Sequence, residues 1–310
     1  MRRTLWLSAT KRAESRPVLC YGRGVPPRIE FSPRHALITG ASGAIGRALT
    51  EVLAARRPGL RFSLVDREPD GLAALAAEHG ERVHTQVVDL ADPAVCPQLF
   101  QTAVAAAGPV DLLVNCAGFM DVRAFAETPW ELGERLLHVD LLSPLRLMQL
   151  AVAQIPAAGG FIVNISSMAG RVPLRGCAYY GAAKAGLLFA SQIAGLELAE
   201  RRVHVLSVLP GPVRSPLEAA ARAQLPSTYL TRHLPTGDPH ELAVRIVAAL
   251  VRGQQRLAYP SFYRLADEVP GVAERFTRAF SPPARRQLAG PGNRDALPAT
   301  AAESEDPPRV

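Results

Sequence analysis

Lysine occurs twice in this chain of 310 residues, at Lys11 and Lys184, against 33 arginines. Lys184 follows Tyr180 by four residues in Tyr180-Gly181-Ala182-Ala183-Lys184. On a helix, positions i and i+4 share a face, so a phenol and an ammonium would lie side by side. Arginine would serve badly there, because a guanidinium is planar, bulky and always charged, whereas an ammonium is compact and its pKa can be tuned. The pair therefore suggests proton transfer through Tyr180 with Lys184 as its charged neighbour. A lone Tyr-x-x-x-Lys also arises by chance on many helices, so its surroundings decide.

A second group lies near the N-terminus, where an apolar run leads into Thr39-Gly40-Ala41-Ser42-Gly43-Ala44-Ile45-Gly46 and then a helical pattern. Glycines in such a strand-to-helix turn let the backbone approach a pyrophosphate, whose charge then sits at the helix N-terminus. Gly40, Ser42, Gly43, Ala44, Ile45 and Gly46 are thus candidate cofactor contacts; the plain alternative is a glycine-rich turn. Twenty residues past Gly46 the next strand ends in Val65-Asp66-Arg67. A carboxylate at that place accepts hydrogen bonds from ribose hydroxyls and repels a 2′-phosphate, so Asp66 argues for NAD. Arg67 is the opposing signal, because an arginine there can recruit the phosphate of NADP.

These residues need a scaffold, and the pattern supplies one. Strands are expected at 35–39, 61–65, 83–88, 111–114, 160–165, 203–209 and 255–259, alternating with helices near 44–56, 70–78, 93–107, 128–155, 178–200 and 239–252. Several strands are almost continuously apolar, as in a sheet covered on both faces. Strand–helix alternation with crossovers of this length implies an α/β fold with a Rossmann-type, doubly wound parallel sheet. Residues 35–260 form a single domain with no internal repeat. Beyond it, Phe262, Leu265, Val269, Val272, Phe276 and Phe280 follow a helical spacing broken at Pro270-Gly271. Residues 261–280 therefore read as a broken amphipathic helix. From Ser281 the chain turns proline- and alanine-rich and reads as a disordered tail.

Composition narrows the class of function. Lys11 and seven arginines against Glu14 and Glu30 give residues 1–34 a net charge of +6, which leaves +1 for the other 276. The body is thus nearly neutral, which argues against nucleic-acid binding. The basic head reads as a disordered extension, with a transit peptide as the alternative. No stretch reaches the roughly 18 consecutive apolar residues expected of a transmembrane helix. Four scattered cysteines without a Cys-x-x-Cys spacing fit a reducing, cytoplasmic setting, and unclustered histidines suggest no metal site.

Taken together, the chain resembles the short-chain dehydrogenase/reductase family over about residues 35–260. Asp89-Leu90 resembles the family's adenine-contacting pair. Asn115-Cys116-Ala117-Gly118 is similar to its Asn-Asn-Ala-Gly, which places Asn115, Ala117 and Gly118 at the cofactor, with a cysteine for the second asparagine. Ile165-Ser166-Ser167-Met168-Ala169-Gly170 resembles the segment carrying the family's serine; Ser167 precedes Tyr180 by 13 residues, the interval the family uses. Pro210-Gly211-Pro212-Val213-Arg214-Ser215 resembles the turn that holds the nicotinamide, implying roles for Pro210, Gly211, Val213 and Ser215. Two departures stand out. The commonest family pattern has glycine where Ala44 stands, a methyl small enough for cofactor binding to survive. Asp140, in Val139-Asp140-Leu141, stands where the family has the asparagine that completes a catalytic tetrad and helps hold a water near the lysine. An ionised aspartate accepts hydrogen bonds but donates none, and its charge favours a protonated lysine. A solvated carboxylate on a helix face is the bland alternative.

The resemblance implies an NAD-dependent oxidoreductase acting on a secondary alcohol or its ketone. Tyr180 would be the general acid/base, lowered toward working pH by Lys184 and the cofactor. Ser167 would hydrogen-bond the developing carbonyl oxygen, and Lys184 would also bind the nicotinamide ribose. Leu174, Leu217, Leu225 and Tyr229 suggest an apolar substrate pocket. Family members commonly form homodimers or homotetramers through the helices at 128–155 and 178–200. Two other readings are kept: an NADPH-dependent carbonyl reductase using Arg67, and a nicotinamide-binding regulatory protein without turnover, which Asp140 motivates.

Overall fold

The structure is a computed structural model that describes residues 30–224 and 235–280. The basic head before residue 30, Leu225 and Tyr229, and the tail from 281 lie outside the described residues.

Strand formation follows from apolar runs that bury alternate side chains on opposite faces. In β1 (His35–Thr39), Ala36 and Ile38 enter one core and Leu37 the other. In β4 (Leu112–Asn115), Leu112 and Val114 divide from Leu113 in the same way. β5 (Gly160–Ile165) sends Phe161, Val163 and Ile165 to the first core and Ile162 to the second. A continuous apolar run is therefore two alternating stripes, each covered by helices. At ~1.5–3 kcal/mol for each fully buried large aliphatic side chain, these stripes dominate the stability of the sheet.

The remaining strands are β2 (Arg61–Asp66), β3 (Val83–Val87), β6 (Val203–Pro210) and β7 (Arg256–Tyr259). The described residues form a seven-stranded sheet in the order β3-β2-β1-β4-β5-β6-β7, with every pairing parallel. The doubly wound sheet is thus as expected, although β3 at the edge is only partly buried. The winding reverses between β1 and β4, and the crevice beyond their C-terminal ends is the place where such sheets hold ligands.

Helices α1 (Ala44–Arg56) and α2 (Pro69–His79) follow β1 and β2. α3 (Cys96–Ala107) follows β3. The single helix expected at 128–155 is three pieces: α4 (Trp130–Leu137), a π-helical turn (His138–Leu142) and α5 (Ser143–Gln154). By length and composition Trp130–Gln154 could cross a membrane, with mean hydropathy 1.3. Here it lies on the sheet, with Leu147, Met148 and Ala151 in the second core. α6 (Ala178–Glu197) carries Tyr180 and Lys184, and α7 (Pro216–Ala223) is a helix the sequence pattern did not mark. α8 (Pro239–Arg252) covers the first core, and β7 closes the sheet. The broken helix then appears as α9 (Arg264–Glu268) and α10 (Pro270–Phe280), with the break at Val269.

Candidate active site

The crevice beyond β1 and β4 is made first of backbone. Gly40 has φ +65°, and a Cβ there would stand 2.7 Å from the backbone of Ala117. A Cβ on Gly46 would run into the Gly40 carbonyl. The loop after β1 and the loop after β4 therefore touch, and glycine is what permits it. Thr39 joins them: its hydroxyl oxygen accepts from the N–H groups of Cys116 and Ala117, each at 3.2 Å. Ala44 is the first residue of α1, and Gly43 before it offers no side-chain cap. The helix's first N–H groups are thus left for a phosphate, which suits a dinucleotide.

Asp66 is stationed beside this loop by three backbone donors. Oδ2 accepts from Ser42 N at 2.9 Å, and Oδ1 accepts from Arg67 N at 2.7 Å and Glu68 N at 3.3 Å. Arg67 is exposed and pairs with Glu68 at 3.2 Å. The Asp89-Leu90 pair is pinned from the far side of the crevice. Arg135 of α4 donates to Asp89 at 2.7 Å, and the Ser143 hydroxyl donates to Leu90 O at 2.8 Å. Asn115 is buried and donates to Asn164 Oδ1 at 2.8 Å, tying β4 to β5 rather than reaching into the crevice.

Buried charge occupies the other end. Lys184 Nζ lies 2.9 Å from Asp140 Oδ1 and donates to Ile165 O at 2.9 Å. Asp140 Oδ2 accepts from Phe119 N at 3.3 Å. Asp140 is 0% exposed and Lys184 4%, so the solvated helix-face carboxylate is excluded. The π-helical turn is the reason: its wide turn buries Val139 and Asp140 while Leu142 stays exposed. Such turns recur at functional sites. Gly118 makes room for the pair, because a Cβ there would strike Asp140 Oδ1 and stand 3.2 Å from Lys184 Nζ.

Lys184 Nζ is 5.7 Å from the centre of the Tyr180 ring, and Ser167 lies near enough to the buried Tyr180 to pull its phenol pKa down. Ser166 plays a different part, donating through its hydroxyl to Lys184 O at 2.8 Å. The two serines thus differ: Ser166 fastens the helix, while the Ser167 hydroxyl oxygen accepts from Ala169 N at 3.1 Å within its own turn.

Electrostatics departs from expectation. Burial pushes the Tyr180 phenol above its ordinary value; Lys184 pulls it down, but Asp140 pushes it up. The lowered phenol expected from the sequence is therefore not found in the chain by itself, because burial and Asp140 together outweigh the ammonium. Burial works against the charge on Lys184, yet Asp140 and then Tyr180 outweigh it and hold the ammonium above its ordinary value. Asp140 is raised by burial, with Lys184 offsetting part of the rise. Cys116, in place of the family's second asparagine, is pushed up to about 12 by burial, with Lys184 offsetting part of the rise.

After β6, Pro210-Gly211 leads to Val213, which bridges to Gly237. The Ser215 hydroxyl caps α7, accepting from Glu218 N at 3.0 Å and donating to Val213 O at 3.1 Å. Leu174 and Leu217 are partly exposed, at 40% and 39%. A nearer apolar wall went unnoticed in the sequence. Met120 packs with Tyr180, Leu136 and Ala169 on one side and with Val122, Cys177 and Ala221 on the other. Among the described residues no three of His, Cys, Asp and Glu converge as a metal site would need.

A glycine-bearing crevice, a stationed carboxylate and a Ser–Tyr–Lys group whose phenol and ammonium are buried form one arrangement, and the short chain dehydrogenase pattern matches residues 34–226. The chain belongs to that family. It is accordingly an NAD(P)-binding oxidoreductase working between alcohol and ketone. Nodulation protein G of Rhizobium meliloti (strain 1021) is 36% identical over 190 residues, which cover 60% of this chain and 76% of that protein. A short-chain dehydrogenase from Streptomyces avermitilis matches with TM-score 0.68 at 30% identity, over 80% of this chain and 96% of its own. Another, from Sphingobium yanoikuyae in complex with NADPH, matches with TM-score 0.66 at 28% identity, over 83% and 98%.

Proposed function

We propose that the protein interconverts an apolar secondary alcohol and its ketone with NAD, Tyr180 acting as general acid/base. The observation that carries this reading is the convergence of Ser167 and Lys184 on one buried phenol. Gly40, Ser42, Gly43, Ala44, Ile45 and Gly46 would hold the pyrophosphate, Asp66 the adenosine ribose, and Asp89 and Leu90 the adenine. Ala117, Gly118, Pro210, Gly211 and Val213 would line the nicotinamide end, and Lys184 would reach its ribose. With its hydroxyl spent on capping α7, Ser215 serves that loop's shape more than a direct contact. When bound, the cofactor supplies the hydride acceptor for oxidation or the donor for reduction.

The chain itself handles the proton. In oxidation, Tyr180 takes the hydroxyl proton as the carbinol carbon loses its hydride and the C=O bond forms. Ser167 donates a hydrogen bond to that oxygen, stabilising the charge that develops there. Lys184 holds a positive charge beside the phenol, and Asp140 holds Lys184. The wall of Met120, Val122, Cys177 and Ala221 supports an apolar substrate, as do Leu174 and Leu217. Exposed Phe189, Ile193 and Leu196 on α6 suit self-association into a dimer or tetramer. Unpaired cysteines suit a cytoplasmic setting.

NAD is favoured because the Asp66 charge is fixed by three backbone bonds while Arg67 is drawn to Glu68. The NADPH complex of the Sphingobium relative favours the other cofactor, so affinity for both should be measured. NADH formation over a panel of secondary alcohols tests the reaction. Tyr180→Phe should lower turnover about 10²–10⁴-fold, the range of general acid–base catalysis. An equally active Tyr180→Phe protein would sink the mechanism. Cofactor binding without turnover of any alcohol or ketone would favour the regulatory reading instead.

A further inference from the structure

Past residue 226, where the family match ends, the chain returns to the catalytic end of the crevice. Tyr263, in the short turn Ser261–Tyr263, covers Gly211, where a Cβ would stand 2.5 Å from its ring. Tyr263 and Ala266 pack against Met168, Leu188 and Leu209. Met168 is the residue next to Ser167, so the C-terminal segment touches the serine turn directly.

One buried carboxylate fastens this contact. Asp267 of α9 is 6% exposed. Its Oδ1 accepts from Arg171 Nε at 3.0 Å and from Arg256 Nη1 at 3.2 Å, and its backbone carbonyl accepts from Arg171 Nη2 at 3.1 Å. Arg171 closes the turn begun by Ser167. Gly170 N donates to Ser167 O at 3.0 Å, and Arg171 N donates to Met168 O at 2.9 Å. On the opposite side, a Cβ on Gly170 would stand 2.6 Å from the Lys184 carbonyl carbon. The turn is thus held between α6 and α9.

We propose that Asp267 is a positioning residue for Ser167, latching the serine turn to the C-terminal segment through Arg171. The proposal rests on the role given to Ser167 above. An exposed ion pair would contribute little, but a buried carboxylate taking charge-assisted bonds from two guanidiniums fixes geometry as well as charge. The two arginines differ in what they tie. Arg171 ties Asp267 to the serine turn, whereas Arg256 ties it to β7, the strand from which the same segment leaves. Removing Arg171 should free the turn, and removing Arg256 should loosen only the segment's own base.

Hydrogen–deuterium exchange of the full chain separates these effects without needing a substrate. The peptide spanning 166–172 should exchange about tenfold faster in Asp267→Ala and Arg171→Ala, as local opening requires. In Arg256→Ala it should stay near wild type, and the β1 amides should be unchanged in all three. Turnover of a secondary alcohol should fall about tenfold in the first two proteins, since small misplacements of a reacting group are costly. Cofactor affinity should stay near wild type. Wild-type exchange at 166–172 in Asp267→Ala, or an equal rise in Arg256→Ala together with β1, would overturn the latch. Faster exchange with unaltered turnover would support the latch and overturn the catalytic role of Ser167 instead.

Discussion

At the end of the crevice made by β1 and β2, the chain presents backbone: glycines at 40 and 46, a helix without a side-chain cap, and a carboxylate held by three N–H groups. At the end made by β5 and α6 it presents buried charge: an ammonium and a carboxylate 2.9 Å apart, with a phenol beside them. The difference teaches where change is tolerated. Backbone sites depend on space, so a methyl such as that of Ala44 is harmless wherever nothing occupies the room. Buried charges depend on their partners, and breaking such a pair costs about 3–5 kcal/mol.

Gly118→Ala should break the comparison most severely, because it is a spatial change made at the charged end. Its Cβ would strike Asp140 and crowd Lys184, with a strain of about 1–3 kcal/mol. Thermal melting should show the loss, and turnover should fall more than affinity for the cofactor. A protein melting and turning over like wild type would show that the pair yields easily. Asp66→Ala changes a charge at the backbone end. It should lower affinity for NAD and shift the NAD/NADP ratio toward NADP by about tenfold, near 1.4 kcal/mol, leaving turnover at saturating cofactor little changed. Calorimetry with both nucleotides reads this, and an unmoved ratio would remove Asp66 from cofactor choice. Ala44→Gly should have the smallest effect, within about twofold in cofactor affinity, since Ala44 begins a helix without positive φ.

The two ends also differ in how far the sequence revealed them. The glycine loop, Asp66 and the Tyr180–Lys184 pair are local patterns, set by neighbours within a turn or by a strand end. The strand runs were legible because two alternating stripes make an unmistakable apolar run. What lay hidden depends on contacts between distant residues or on burial. The resemblance placed Asp140 beside the lysine, but its complete burial lay hidden because a π-helical turn leaves no mark in the apolar periodicity. The direction of the Tyr180 shift needed the burial of the phenol and the nearness of Asp140, neither visible along the chain. Thr39, Gly118 and Asp267 act through Ala117, Asp140 and Arg171, which are 78, 22 and 96 residues away and beyond the reach of any local motif.

The pH profile of Asp140→Asn tests most directly whether a buried carboxylate counters the lysine's pull on the tyrosine. Besides Asp140 and Lys184, the phenol faces Ser167 and the thiol of Cys177, and Cys116 faces Lys184. Asparagine keeps the shape and removes the charge that pushes the phenol upward. Provided Lys184 stays protonated, the Tyr180 pKa should fall. Alcohol oxidation, which needs the phenolate, should then begin its rise at lower pH in Asp140→Asn than in wild type, with a higher rate at neutral pH. Superimposable profiles, or a rise displaced to higher pH, would contradict the assignment of Asp140 as the opposing charge.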